Sequence, residues 1–190
     1  MSGALHTPEA VPEITVATGD ADETRGLGAR IARLLRAGDL VMLSGGLGAG
    51  KTTLAQGIGA ALGVRGRVSS PTFIIARVHP SLADGPDLIH VDAYRVSSLE
   101  EVDALDLESS MEESVTLVEW GEGKVEALAD DRLEIAIARP RGGLDAEPGA
   151  DAGGARAVTD LTGADDGRRT IAVTAFGPRW AGADLNALRA

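Results

Sequence analysis

A chain of 190 residues with 44% hydrophobic and 25% charged residues has ordinary globular composition and can bury a core without disulfide or metal staples. It has no cysteine, which excludes disulfides, thiolate metal sites and cysteine nucleophiles, and its three histidines (His6, His79, His90) argue against a multi-histidine metal centre. Eighteen basic against 29 acidic residues leave a formal net charge of -11, the wrong sign for an autonomous nucleic-acid binder.

No apolar run approaches the ~18 residues of a membrane span. Met1 to Glu13 lacks the basic-then-apolar order of a signal peptide, so a cytoplasmic protein with no membrane contact is expected. Only Lys51 and Lys124 stand against sixteen arginines, which raises the question of what an arginine could not do at those two positions.

In chain order, residues 1–13 read as a loose tail with Pro8 and Pro12, and a single domain is expected over 14–190. Ile14 to Thr18 is a short strand. Asp20 and Glu23 have capping spacing ahead of a helix whose inward face is Leu27, Ile31, Leu34 and Leu35 and which Gly38 ends. Leu40 to Leu43 is a buried strand. A glycine-rich turn follows, then a helix with Leu54, Ile58, Ala61 and Leu62 inward and Gly63 as its stop.

Thr72 to Val78 and Leu88 to Tyr94, joined through a Pro- and Gly-bearing turn at 80–86, predict a hairpin. Ser98 and Glu101 open a short helix. Val115 to Trp120 is a strand, Lys124 to Ala129 a helical turn, and Leu133 to Ala138 a further strand. Residues 140–169 are dominated by Gly, Ala and Asp and read as a low-complexity surface insertion. Thr170 to Ala175 resumes as a strand, and a C-terminal helix is expected to carry Trp180, Leu185 and Leu188. This alternation implies an α/β layer fold whose central sheet is made mixed by the antiparallel hairpin.

The sharpest chemical signal is Gly45-x-x-x-x-Gly50-Lys51-Thr52, directly after an apolar strand and opening an amphipathic helix. Glycines let successive backbone N–H groups turn toward phosphate oxygens at the positive end of the helix. The lysine reaches the terminal phosphates and the threonine hydroxyl meets a magnesium ion. Arginine's broad planar fork does not replace a compact ammonium there, which answers the question for Lys51.

A magnesium nucleotide also needs an acid from a neighbouring strand end. Asp92, after Leu-Ile-His-Val, and Glu119, after Val-Thr-Leu-Val, both qualify, and spacing alone does not divide their roles. The chain has no Asn/Thr-Lys-x-Asp guanine reader, and Asp160-Leu-Thr-Gly163 lies inside the insertion, so ATP is the expected nucleotide.

These residues resemble the TsaE family, small bacterial ATPases of tRNA threonylcarbamoyladenosine (t6A) modification. The ordered series is Leu-Ser-Gly-Gly-Leu-Gly-Ala-Gly-Lys-Thr-Thr at 43–53, Ser-Pro-Thr-Phe at 70–73, His-Val-Asp-Ala-Tyr-Arg at 90–95 and Leu-Val-Glu-Trp at 117–120, with Thr24 and Leu27-Gly28 upstream. The likeness covers about residues 14–139 and resumes near 168–180, and the insertion and the acidic tail depart from it.

The resemblance implies a P-loop NTPase, a three-layer α/β/α domain. Gly45, Gly46, Leu47, Gly48, Ala49, Gly50, Lys51, Thr52 and Thr53 would bind ATP phosphates, and Thr52 with Glu119 would coordinate Mg2+. Asp92 would be a water-orienting or metal-supporting acid. Ser70-Pro71-Thr72 looks like the family's switch segment, with the Thr72 hydroxyl available to sense phosphate or metal. Lys51, Thr72, Asp92 and Glu119 are thus the implied catalytic set.

The implied role is ATP hydrolysis that supports repeated turnover by the partner proteins TsaB and TsaD. That pair transfers threonylcarbamoyl to adenosine 37 of ANN-reading tRNAs, so tRNA would be met only through the partners. His90 reads as a packed or hydrogen-bonding support rather than a base, and Arg95 as a local or partner-facing cation. Of the five aromatics, Phe73, Tyr94 and Trp120 fall in these motifs, where core and site readings stay open. Two other classes remain to be separated by assay: a small-molecule kinase, which would need an arginine-rich lid, and a nucleotide-binding adaptor that never hydrolyses.

Overall fold

The computed structural model describes residues 10–70, 76–95, 108–140 and 167–189. The first nine residues, Pro71, Thr72, Phe73, the helix expected from Ser98 and almost all of the insertion lie outside them. Strand β1 (Ala10–Thr18) leads through Gly19 into helix α1 (Ala21–Ala32). The capping signal at Asp20 takes its expected form: the Asp20 carboxylate accepts from Glu23 N at 2.8 Å, and Glu23 reaches back to Gly19 N at 2.6 Å. Strand β2 (Leu40–Ser44) follows, then helix α2 (Lys51–Leu62), which ends at Gly63 in the left-handed conformation. The expected hairpin is β3 (Ala76–His79) against β4 (Asp87–Asp92), registered Arg77 on His90.

A four-residue helix α3 (Glu108–Met111) precedes β5 (Ser114–Glu119); β6 (Arg132–Ala138) and β7 (Arg169–Phe176) complete one seven-stranded sheet in the order β1-β7-β6-β2-β5-β4-β3. The inner strands β4, β5, β2 and β6 run parallel, while β7, β1 and β3 are antiparallel to their neighbours. The sheet is therefore mixed at both flanks, not only at the hairpin.

Strands β2, β4 and β5 carry apolar residues on both faces, as parallel strands between layers do, while β6 is apolar on one face only. Val41, Leu43, Leu88, Leu117, Leu133 and Ile135 pack toward α1 and α2, whereas Leu40, Met42, Ile89, Val91 and Val118 face Met111, Val125 and Leu128 on the other side. On the α1–α2 side the two helices meet backbone to backbone. A Cβ at Gly28 would lie 2.5 Å from Leu54 O, and one at Gly57 would strike the Arg25 carbonyl. Two glycines thus set the close spacing of α1 and α2.

Three expectations are corrected. Helix α1 stops at Ala32, not near Gly38, because turns from Leu34 N to Ile31 O and Leu35 N to Ala32 O tighten the chain and the Leu34 carbonyl goes to Arg179 instead. Leu54 and Ile58 of α2 are buried as expected, but Ala61 is exposed, and Ala55 and the small Gly57 and Gly59 are turned inward instead. The C-terminal apolar residues sit on two 3-10 turns, Pro178–Trp180 and Leu185–Arg189, rather than one α-helix. Gly177, Pro178 and Gly182 interrupt any longer helix, yet Trp180, Leu185 and Leu188 still reach the core. Among the described residues no helix is long and apolar enough to cross a membrane.

Candidate active site

The topology brings the carboxyl ends of β4, β5, β2 and β6 together, at Asp92, Glu119, Ser44 and Ala138, which is where open α/β sheets bind ligands. From Ser44 the chain enters the glycine loop and then α2. Gly45, Gly48 and Gly50 have φ of 138°, 74° and 109°, a conformation that favours glycine, and a Cβ at Gly45 would also collide with the Ile137 carbonyl. Leu47 at the tip is 94% exposed, while Ala49 is buried under the loop.

The two main helices differ at their starts. Helix α1 carries its own acids, Asp20, Asp22 and Glu23, whereas α2 has no side-chain cap and no acid in its first turn. The first-turn N–H groups of α2, at Lys51, Thr52 and Thr53, are left to an outside acceptor.

Lys51 is buried beside its own loop, donating from Nζ to Gly45 O at 2.7 Å and to Gly46 O at 3.1 Å. Burial pulls its pKa below the usual lysine value, opposed by the nearby Glu119, Asp92 and Glu122 carboxylates. Its ammonium lies 3.8 Å from the centre of the Trp120 ring. Trp120 is the one non-glycine residue with positive φ among those described, at 61°, and its N–H is held by Leu43 O. That left-handed turn immediately after Glu119 is what carries the indole under the lysine. Tyr94, 66% exposed, meets Trp120 edge-on at 5.2 Å. The two described motif aromatics therefore lie at the site, and among the described residues the fully buried large aromatic is Trp180.

The Thr52 hydroxyl donates to Glu119 at 3.3 Å, and Glu119, nearly fully buried, also accepts from His90 Nε2 at 2.9 Å. Asp92 accepts from Ser70 Oγ at 3.2 Å through one oxygen and from Tyr94 N at 3.0 Å through the other. From the flank, Arg169 Nε at the start of β7 holds Ala49 O at 2.7 Å. Lys124 Nζ donates to Ala93 O at 2.6 Å and ties the loop after β5 to the turn that follows Asp92.

Of the sequence candidates, Gly45 to Thr53, Asp92 and Glu119 converge on one end of the sheet, while Thr72 lies outside the described residues. Sequence reading missed Arg169, the Trp120–Lys51 contact, the Ser70–Asp92 bond and the His90–Glu119 pair. Only the last had a usable signal: His90 and Asp92 are two apart on a strand and so share a face.

This donor set fits a magnesium nucleotide. Bare N–H groups and a lysine suit phosphate oxygens, and a hydroxyl beside a carboxylate supplies hard oxygen donors for a divalent cation. A strand, a glycine loop with Lys and Thr opening a helix, and acids on the adjoining strand ends together define a P-loop NTPase-type protein.

Comparison with known proteins narrows the class. The family described as "Threonylcarbamoyl adenosine biosynthesis protein TsaE" matches residues 18–143. A Streptomyces coelicolor protein named tRNA threonylcarbamoyladenosine biosynthesis protein TsaE is 56% identical over 165 residues, covering 86% of this chain and 98% of that one. A Mycobacterium bovis protein of the same name is 46% identical over 125 residues, covering 62% of this chain and 74% of its own length. The crystal structure of Bacillus subtilis YdiB superposes with a TM-score of 0.62 at 30% identity, covering 90% of both chains. The chain belongs to the TsaE family.

Proposed function

We propose that this chain is a magnesium-dependent ATPase serving t6A formation on tRNA, binding and hydrolysing ATP to support turnover of the TsaB and TsaD proteins. The observation that carries the proposal is the convergence of Lys51, Thr52 and Glu119 at the β2–α2 turn of a TsaE-family chain. In this reading the loop and first-turn N–H groups from Gly45 to Thr53 receive the phosphates. Lys51 exchanges its two loop carbonyls for the terminal phosphate.

Thr52 and Glu119 hold the cation, which when bound would neutralise charge across the phosphate oxygens. Asp92, held by Ser70 and Tyr94 N, orients the attacking water as hydrogen-bond acceptor. Thr72 follows two residues after Ser70, so the Ser70–Asp92 bond offers a link from the switch segment to that acid. With a net charge of -11 the protein meets tRNA through its partners rather than directly, in the cytoplasm.

Phosphate release by the isolated full-length protein, then with TsaB and TsaD added, tests the proposal. Slow release alone and faster release with the pair is the expected result. No release under either condition, or phosphate appearing on a small metabolite, would overturn it. A fluorescence titration of the lone protein against tRNA should show negligible binding at physiological salt, and tight, strongly salt-dependent binding would remove the indirect role.

A further inference from the structure

Beside Glu119 lies a buried group that the proposed chemistry does not use. His90 is fully buried on β4, registered between Arg77 of β3 and Leu117 of β5. Its Nε2 lies 2.9 Å from Glu119 Oε1, the same oxygen that receives the Thr52 hydroxyl at 3.3 Å, and its Nδ1 is buried with no hydrogen-bond partner among the described residues. A carboxylate can only accept, so the ring's proton sits on Nε2. That tautomer leaves only a lone pair at Nδ1, a smaller loss than an orphaned N–H.

We propose that His90 is the positioning residue of this site: its Nε2–H fixes the Glu119 carboxylate in the orientation that, with the Thr52 hydroxyl, receives the divalent cation. The inference rests on the magnesium-nucleotide reading and deepens it. Three features carry it. His90 lies inside β4 and Glu119 closes β5 in register with Asp92, so both are mounted on paired strands rather than on loops. Glu119 is 2% exposed, so water does not orient it and a protein donor must. An arginine or lysine at this position would orient the carboxylate equally well but would bring a fixed cation to compete with the incoming metal. An imidazole N–H orients without that competition.

The test uses the full-length protein with His90→Gln, His90→Asn and His90→Leu, titrated with a fluorescent non-hydrolysable ATP analogue in Mg2+ and again in EDTA. The glutamine amide reaches the place of Nε2, the asparagine amide stops at that of Nδ1, and leucine has no donor. The expected result is that His90→Gln keeps most of the gain in affinity that Mg2+ confers. His90→Asn and His90→Leu should lose roughly 10–100-fold of it, the usual cost of removing a partner that orients a metal ligand. Affinity in EDTA should be unchanged in all three, because the loop and Lys51 are untouched.

Equal Mg2+ dependence in wild type and all variants overturns the proposal. So does a parallel loss in Mg2+ and EDTA, which would mark a merely structural role. Should His90→Leu fail to fold, the Gln–Asn contrast decides alone. Absence of binding by the wild type in both buffers would instead refute the nucleotide reading itself, and this proposal with it.

Discussion

The two ends of strand β2 each bury charge, and they do so in opposite ways. At the amino end, Asp39 is 5% exposed and meets Arg179 through both oxygens, at 3.1 Å to Nε and 2.9 Å to Nη2. The same aspartate accepts Arg36 N, the same guanidinium donates to Leu34 O, and its plane lies 4.2 Å from the Trp180 ring. Both charged groups there find protein partners, so the pair locks the C-terminal turns onto the α1–β2 connection.

At the carboxyl end the charges are arranged for something else. Lys51 rests on two carbonyls rather than on a carboxylate, Glu119 receives Thr52 only at long distance, and the start of α2 is bare of acids. A closed network holds a fold together, whereas an open one holds a place for a ligand.

The largest expected effect is at the open end. Lys51→Ala should lower kcat/KM for ATP by about 10²–10³-fold, the scale of removing one preorganised donor, with circular dichroism unchanged. A folded variant with wild-type turnover would erase the distinction between the two ends. Arg179→Ala should do the converse. Leaving Asp39 buried and unpaired costs about 3 kcal/mol, read as a fall in melting temperature, while the folded fraction keeps its nucleotide affinity.

Next in size, Asp92→Asn should preserve binding of ATP and slow single-turnover hydrolysis by roughly 10–100-fold, because the amide keeps the shape but loses the charge that orients water. A loss of Mg2+-dependent binding instead would move Asp92 to the metal.

The smallest effect concerns the cost of the open end itself. Burial holds the Lys51 pKa below its unfolded value, so the unfolded chain binds the proton more readily and stability rises with pH through the window between the two values. Lys51→Met should therefore melt higher than wild type at neutral pH, read as a rise in melting temperature. The gap should narrow as pH climbs toward 10.5, the ordinary value at which both states shed the proton. A gap that stays constant with pH would show that burying the charge is not its source.

The contrast between the ends also explains what could be read from the sequence. The phosphate loop was legible because its chemistry is contiguous: glycines, Lys51 and Thr52 are local, and the apolar run at Leu40–Leu43 announces the strand before it. Asp92 and Glu119 were legible because each closes an apolar strand. Arg169 and Ala49 are 120 positions apart, and Arg179 and Asp39 are 140 apart, so neither pair leaves any periodic trace.

That long-range closure also misled the reading of α1. Leu34 and Leu35 continue the apolar spacing, but the fold spends the Leu34 carbonyl on Arg179 and ends the helix early. At the C-terminus the spacing of Trp180, Leu185 and Leu188 located the core contacts correctly while misjudging their backbone, since glycine and proline set the turns.

The most direct test is calorimetric titration of ATP in Mg2+ into three full-length proteins: wild type, Lys51→Ala and Arg179→Ala, the last at a temperature where it remains folded. Wild type and Arg179→Ala are predicted to bind alike and Lys51→Ala to lose binding. Equal binding by Lys51→Ala and wild type, or loss of binding in Arg179→Ala alone, would contradict the assignment of the open end of β2 as the nucleotide site.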